Sequence, residues 1–342
     1  MQLYGTIPPH IGNLSFISSL DISKNTFHGD FPQELARLQR LKSINVTRNI
    51  FTGAIPSFLS LLPNLRFVQL SSNQFSGKIP SSLSNITMLQ MLFLERYFLE
   101  GEIPREIGDL RYMTILDLQI NQLSGSIPPS IVNITTMYVI VLTDNNLTRN
   151  LPITICDHLL DLKGLYLNKN SLDGVIPPNL EKCTKLQKLE LGDNEFIGTL
   201  PRELANSIAL TYLYISDLHL EAQNEITGSV PHNICNMLAL QNINFEENKL
   251  SGTLPSDFGP GMPNLEIFYC GGNNLSGFVS ASISNSSKLR QLDLSQNSFT
   301  GTILQKLMSS NRLFELDIMP AINCCYVDLP KTMMKAKLIS AS

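Results

Sequence analysis

The chain has 342 residues, and its 25 lysine and arginine residues against 29 aspartate and glutamate residues give a formal net charge of −4. No basic block is present, so nucleic acid is excluded as an expected partner. Apolar residues make up 43% of the chain. That share is enough for a hydrophobic core, but no apolar stretch approaches the length that a bilayer span requires.

A proline recurs at nearly constant spacing along the chain. The interval is 24 residues from Pro8 to Pro152, and the later intervals are 25, 24, 30 and 24. A fixed period of this size predicts a stack of small units, here called coils, in which each coil contacts only its neighbours. The prolines are Pro8, Pro32, Pro56, Pro80, Pro104, Pro128, Pro152, Pro177, Pro201, Pro231 and Pro255.

The first predicted element of each coil is a short strand. Residues 110–128 read L-x-x-M-x-x-L-x-L-x-x-N-x-L-x-G-x-I-P, which contains the leucine-rich-repeat pattern. Two leucines around one variable residue place both apolar side chains on the inner face of a strand. With about 4.8 Å between strands, thirteen coils predict a parallel concave sheet about 60 Å long. Strands are predicted at Leu20, Ile44, Val68, Leu92, Leu116, Ile140, Leu165, Leu189, Leu213, Ile243, Phe268, Leu292 and Leu316.

Asparagine and glycine follow each strand at fixed positions. The asparagine amide is expected to bond backbone groups that the turn would otherwise leave buried and unpaired. Ten of the thirteen coils keep this asparagine, and the exceptions are Tyr97, Leu218 and Ala321. A glycine stands three residues before twelve of the thirteen proline positions, where it suits a tight turn; Arg149 is the exception.

The L-x-G-x-I-P ending is more specific than a general leucine-rich repeat. Segments 101–108 (GEIPREIG) and 125–131 (GSIPPSI) resemble the plant-type extracellular repeat of receptor-like kinases, receptor-like proteins and wall-enzyme inhibitors. The resemblance implies an α/β-type repeat solenoid, a curved horseshoe or superhelix with a parallel concave sheet. It is greatest with the receptor-kinase group that senses microbes.

The same resemblance implies a non-enzymatic recognition domain without a cofactor. Its ligand would be a peptide, a protein or a microbial pattern, and a co-receptor ectodomain would be a further partner. The parent family lies at the extracellular side of the plasma membrane. Two alternatives remain open: a free extracellular inhibitor of a wall-degrading enzyme, and a degenerate truncated product without function.

The resemblance covers about residues 1–318, which are assigned to one solenoid, followed by a non-repeat tail over 319–342. Receptors of this family begin with a secretory signal and a cysteine-paired cap, and continue into a membrane helix and a kinase domain. The sequence carries none of the corresponding signals, and no H-R-D or D-F-G element. The chain is therefore interpreted as a fragment, a truncated product or an incomplete gene model of a larger receptor.

One coil, over 213–231, is irregular, because 30 residues separate Leu213 from Ile243. The segment 220–222 resembles one coil ending, and 224–231 is a second ending. The hypothesis is that two coils fused by losing 18 residues, which would leave a bulge over 216–225.

Four cysteines fall at small or apolar positions of the repeat: Cys156, Cys183, Cys235 and Cys270. They are interpreted as small buried hydrophobic side chains, with a Cys156–Cys183 bridge as the alternative. No spacing of cysteine and histidine suggests a metal site.

Acceptor sequences for N-glycosylation give mild support for a secreted origin. Four of them, Asn13, Asn85, Asn133 and Asn285, lie between coils and away from the strands, where a glycan would leave the concave face open. Asn45 differs because it lies between Ile44 and Val46 on the predicted sheet, where a glycan would block ligands. The acceptor asparagines are Asn13, Asn45, Asn85, Asn133, Asn146, Asn274 and Asn285.

Function is expected at the variable residue between the two leucines, which the core does not need. Aromatic and apolar residues cluster at this position between Phe93 and Tyr269. Aromatic side chains among carboxylates give a peptide- or protein-binding surface rigid area and charge. The alternative is that the rings merely pack on one another across strands. The candidate ligand-binding residues are Phe93, Tyr166, Glu190, Tyr212, Tyr214 and Tyr269.

No catalytic constellation is predicted. The five histidines are scattered among coils. The paired carboxylates Glu246–Glu247 and Asp193–Glu195 fit the solvated face or turn of their repeats better than acid–base chemistry.

Overall fold

The computed structural model describes residues 2–96, 98–216, 224–279, 283 and 286–300, and the backbone of 315–317. The chain divides into two compact units, Met1–Leu172 and Asp173–Ser342. Each unit is a leucine-rich-repeat solenoid built from strands, turns and short helices.

The sheet of the first unit is formed by strands that we call main strands. They pair in parallel and in register, with Leu20 beside Ile44 and Ile44 beside Val68. The central residue of each strand is buried, because its side chain points into the stack. The main strands of this unit are Ser19–Asp21, Ser43–Asn45, Phe67–Gln69, Met91–Phe93, Ile115–Asp117, Val139–Val141 and Gly164–Tyr166.

The second unit repeats this arrangement, and Leu213 lies beside Ile243 in the parallel register. Its main strands are Lys188–Glu190, Tyr212–Tyr214, Asn242–Asn244, Ile267–Tyr269, Gln291–Asp293 and Glu315–Asp317. Each predicted strand in the two units is confirmed. The residue predicted to begin each strand is its central residue, because each strand begins one residue earlier.

A second set of parallel strands, not predicted from the sequence, follows the asparagines. Several of them bury one apolar residue, such as Phe51, Leu123 or Phe196. In the first unit they are Tyr4–Gly5, Thr26–Gly29, Ile50–Phe51, Ser76–Gly77, Phe98–Glu102, Gln122–Gly125 and Asn146–Leu147. In the second unit they are Asp173–Val175, Glu195–Thr199, Glu225–Thr227, Ser251–Gly252, Asn274–Phe278 and Ser298–Thr300.

Short helices begin directly after the repeated prolines. Proline suits this place because its fixed φ and missing N–H fit an extended residue before a helix; Pro32, for example, has φ −70° and ψ 132°. Ile155–His158 is an α-helix. The 3₁₀-helices are Pro9–Asn13, Gln33–Arg37, Ser57–Leu61, Ser81–Asn85, Arg105–Asp109, Pro129–Asn133, Pro178–Lys182, Arg202–Asn206 and His232–Asn236.

The predicted role of the asparagines is confirmed. The amide nitrogen of Asn121 donates to the carbonyls of Leu94 and Leu118, both at 2.9 Å, and its oxygen accepts from the N–H of Leu99 at 3.2 Å. One asparagine thus joins its own turn to the preceding coil. Buried backbone groups there have a partner within the repeat.

The irregular coil corrects one expectation. Leu218 was counted as the residue replacing the asparagine, but Asn224 makes these bonds instead. Its oxygen accepts from the N–H of Phe196 at 2.9 Å, and its nitrogen donates to the carbonyl of Leu191 at 3.2 Å. The extra residues therefore stand between the main strand and the asparagine. Residues 217–223 lie outside the described residues, as do Tyr97, Asn285, Ala321 and the tail over 319–342, so the fusion hypothesis stays a prediction.

The cysteines are buried as expected, but two of them are not free thiols. Cys156 in the first unit and Cys183 in the second are each disulfide-bonded. Cys235 and Cys270 are free and buried. Interpreting all four as small hydrophobic side chains was therefore wrong for Cys156 and Cys183. In the described part of the chain, no helix has the length and apolar character of a membrane span.

Candidate ligand-binding surface

Each unit has a variable face on its main strands. It consists of the residues one before, one after and three after the buried central residue, which side-chain alternation places on the same side. The six candidate residues lie on these faces, and all are half-buried. Phe93 and Tyr166 belong to the first unit, and Glu190, Tyr212, Tyr214 and Tyr269 to the second.

On the first unit, Phe93 belongs to an apolar patch larger than the sequence indicated. Phe67 lies next to Met91 in the register, and Ile115 lies beside Met91 and Val139. The rings of Phe67 and Phe93 are 5.7 Å apart. The members outside the predicted position stand one residue before the central residue, where strand alternation could have found them. We call the following residues the apolar patch: Phe67, Met91, Phe93, Ile115, Val139 and Val141.

A polar cluster borders the apolar patch. The side-chain nitrogen of Gln119 donates to Glu95 Oε2 at 2.9 Å and to Asp117 Oδ2 at 3.1 Å, and its backbone N–H donates to Asp117 Oδ1. Asp117 is buried beside Phe93 and Val141 in the register. Burial and the charge of Glu95 together raise the pKa of Asp117 to about 6, although its hydrogen bonds from Gln119 lower it. A carboxyl group at the border of the apolar patch therefore titrates close to neutral pH.

Tyr166 lies on the last main strand of the first unit, three strands from Phe93. A Cβ atom placed on Gly164 would lie 2.6 Å from Tyr166 Cε2, so the ring covers the glycine of its own strand. Tyr166 lies directly opposite Val141, so it adjoins the apolar patch at the end away from Phe67. Two main strands stand between Tyr166 and Phe93.

On the second unit, the structure brings three candidates together. Glu190 lies directly opposite Tyr214 in the register. The rings of Tyr212 and Tyr214 stack 6.5 Å apart, at an interplanar angle of 13°. Burial raises the pKa of Tyr214, and the charges of Glu190 and Tyr212 raise it further. Lys188 Nζ lies 4.7 Å from the centre of the Tyr212 ring, so this surface already holds one cation on an aromatic face.

Tyr269 lies two strands from Tyr214, beside a carboxyl pair that the sequence did not indicate. Asp293 is opposite Tyr269 in the register. Burial and the neighbouring Asp293 raise the pKa of Glu246 to about 7, and Glu246 Oε2 accepts a hydrogen bond from Asn244 Nδ2 at 2.9 Å. A Cβ placed on Gly271 would lie 2.9 Å from Ser295 Oγ and 3.0 Å from Asp293 Oδ1, so the missing side chain leaves room for the Asp293 carboxylate.

The predicted glycosylation positions fall in three settings. Asn13, Asn85 and Asn133 are exposed at the ends of 3₁₀-helices, whereas Asn146 and Asn274 are exposed on second strands. Asn45 lies half-buried on the variable face. Its amide nitrogen donates to Asp21 Oδ2 at 3.0 Å, and its oxygen accepts from the N–H of Thr47. Modification at these positions stays a prediction.

Among the described residues, no group of three or more histidine, cysteine and acidic side chains is placed to hold a metal ion. The variable faces carry apolar area, aromatic rings, amides and carboxylates. Such groups bind a partner through burial, stacking and charge.

Comparison with known proteins agrees with this architecture. Leucine Rich Repeat models match residues 64–86, 161–183, 239–260 and 288–325, and a second such model matches 182–199. A TDR receptor structure is similar at 26% identity and a TM-score of 0.87, over 92% of this chain and 53% of that chain. The chain therefore contains leucine-rich repeats, and its fold is similar to that of the TDR receptor. No curated protein matched it in sequence.

Two further receptors resemble this leucine-rich-repeat chain. PEPR1, solved with AtPEP1, is 30% identical at a TM-score of 0.80, over 92% of this chain and 46% of that one. The ectodomain of the Arabidopsis receptor kinase HAESA, solved with an IDA peptide hormone, is 28% identical at a TM-score of 0.74, over 92% of this chain and 60% of that chain. HAESA with IDA and the co-receptor SERK1 is 25% identical, at a TM-score of 0.67, over 92% and 64%. The chain spans about half the length of the TDR and PEPR1 structures.

Proposed function

We propose that this leucine-rich-repeat domain is a non-enzymatic recognition domain that binds a peptide or protein ligand on its variable faces. It acts as part of a receptor at the extracellular side of the plasma membrane. The HAESA structure supports this proposal because it contains a bound IDA peptide hormone, and PEPR1 was likewise solved together with AtPEP1. The HAESA complex with SERK1 supports a co-receptor ectodomain as a second partner.

The observation that carries the proposal is the apolar patch. Its six side chains are half-exposed at positions where the repeat requires no apolar residue, since the core of each main strand is filled by its central residue. Contiguous apolar area that the fold does not need is characteristic of an interaction surface. The stacked Tyr212 and Tyr214 add rigid aromatic area on the second unit.

The test is a binding screen of the full chain against a library of extended peptides that differ in charge. The best peptide is then measured against Phe93→Ser and Tyr214→Ser. Truncating an interface aromatic residue costs more than about 1 kcal/mol at a binding hot spot, so at least one variant should weaken binding by about tenfold.

Leu61→Ser is the matched control, because Leu61 is an apolar side chain exposed by 60% at the end of a 3₁₀-helix, off the variable face. Its affinity should stay within about twofold of the unmodified chain. Equal losses in Leu61→Ser and the face variants, or no loss in either face variant, would exclude the variable faces as the binding surface.

A further inference from the structure

The variable face of the second unit has a charge that the function proposed above does not specify. Its described carboxylates are Glu190, Glu246 and Asp293, against one cationic side chain, Lys188. Lys188 is already placed over the Tyr212 ring. The acidic groups of this face therefore exceed its own cations, and they stand among tyrosines.

The geometry around Tyr269 shows how a cation would fit. Tyr269 lies between Asn244 and Asp293 in the register. Asp293 occupies the space that a side chain on Gly271 would need. Glu246 Oε2 accepts from Asn244 Nδ2 at 2.9 Å, so one carboxyl group stands on each side of Tyr269. An aromatic face beside two carboxylates is the environment that an arginine or lysine side chain occupies favourably, through a cation–π contact and charge-assisted hydrogen bonds.

We propose that the variable face of the second unit binds a cationic peptide segment, whose arginine or lysine side chain contacts Tyr269, Glu246 and Asp293. This inference rests on the proposed function and names the charge of its ligand. Complementary charge on the face fixes the register of the bound segment and raises its rate of association.

The carboxyl pair makes this binding depend on pH. In the free protein Glu246 keeps a proton up to about pH 7, because it is buried and faces Asp293, Glu247 and, in the interior, the Cys270 thiol. A bound cation favours the ionised carboxylates, so it displaces this proton. Affinity for a cationic peptide should therefore rise as the pH rises through about 7.

The experiment compares three octapeptides of alternating glycine with arginine, serine or glutamate, titrated into the full chain by calorimetry. The arginine peptide should bind more tightly than the other two. Glu246→Gln combined with Asp293→Asn should weaken its binding by about tenfold or more. Tyr269→Leu, which keeps an apolar side chain of similar reach, should weaken it by a few-fold.

The control is Glu203→Gln combined with Asp257→Asn. It makes the same change in net charge at two exposed carboxylates outside the variable face. Its affinity should stay within about twofold of the unmodified chain. An equal loss in both double variants would show attraction by net charge alone and would overturn the proposal.

The unmodified chain gives an independent result that no substitution can disturb. Its affinity for the arginine peptide should increase by several-fold between about pH 5.5 and about pH 8, with protons released to the buffer. An affinity that falls or stays level over this interval contradicts the proposal.

The cationic ligand and the proposed function can fail separately. If a neutral or acidic library peptide binds, and its affinity depends on Phe93 or Tyr214 but is unchanged in the carboxyl variants, the cationic ligand is wrong while the proposed function stands. If no peptide of any charge binds, both fail.

Discussion

At the scale of single residues, Arg149 has a strained backbone conformation that glycine adopts without strain at the equivalent positions of other coils. It holds φ at +69°, a left-handed conformation, where the corresponding described positions of other coils have glycine. A residue with a side chain is destabilised by about 1–2 kcal/mol in this conformation. Glycine avoids this penalty, but it loses more conformational entropy on folding, which offsets part of the gain. Arg149→Gly should therefore stabilise the chain by roughly 0.5–1 kcal/mol. The midpoint of urea unfolding measures it.

Gly125→Ala is the reverse change and serves as its control. Gly125 holds φ at +75°, and a Cβ there would lie 2.8 Å from Glu102 Cγ. This variant should unfold at lower urea than the unmodified chain. A lower midpoint for Arg149→Gly would mean that the arginine makes compensating contacts, and would contradict the conformational argument.

The asparagines give a second prediction at this scale. Asn121→Ala removes one amide that serves two carbonyls and one N–H, all buried. Leaving these groups without partners should destabilise the first unit by about 2–4 kcal/mol. Asn25→Ala is the matched comparison, because the bond from the N–H of Leu3 to Asn25 is exposed and those from Asn25 to the carbonyls of Ile22 and Ser23 are only partly buried. Water can reach these groups, so Asn25→Ala should cost less than Asn121→Ala; equal losses in the two variants would contradict this account.

At the scale of the elements, the main sheet of the first unit predicts a dependence of stability on pH. The folded state raises the pKa of Asp117 from 3.8 to about 6 through burial. The native state therefore binds more protons than the unfolded state between about pH 4 and pH 6, and this carboxyl group lowers the stability as the pH rises through that interval.

Asp117→Asn should remove this dependence. The variant should be more stable than the unmodified chain at neutral pH, by about 1–3 kcal/mol, and the difference should vanish near pH 4. Urea unfolding at several pH values measures it. A variant that is less stable at neutral pH would show that the hydrogen bonds from Gln119 to the charged carboxylate stabilise the fold by more than burial of the charge destabilises it.

The elements also show what the sequence could predict. The main strands were predictable because each places two apolar residues, such as Leu116 and Leu118, at a fixed distance in one interior. The second strands could not be predicted in this way. In Gln122–Gly125, for example, Leu123 is the single buried residue, and one apolar residue between Gln122 and Ser124 is too short an alternation to indicate a strand. They form through pairing with the equivalent residues of the next coil, which is a non-local cause.

At the scale of the whole molecule, the sequence predicted the class of surface but not its composition. Phe93 and Tyr214 were found because they lie between the two strand leucines. Phe67 was missed because it stands one residue before the central residue of its strand, whereas the predicted position is one residue after it. The position of Asp293 beside Gly271 and opposite Tyr269 depends on the register between neighbouring coils, so it could not be found within one repeat.

The central claim is that the variable faces bind the ligand. The most direct measurement is hydroxyl-radical footprinting of the full chain by mass spectrometry, with and without the best peptide of the screen. Phe93 or Tyr214 should lose most of its labelling when the peptide binds, because binding removes these half-exposed side chains from water. Leu61 and Ile208, exposed by 60% and 73%, lie off these faces and should label equally in both states. Protection of Leu61 or Ile208 with unchanged labelling of Phe93 and Tyr214 would contradict the account.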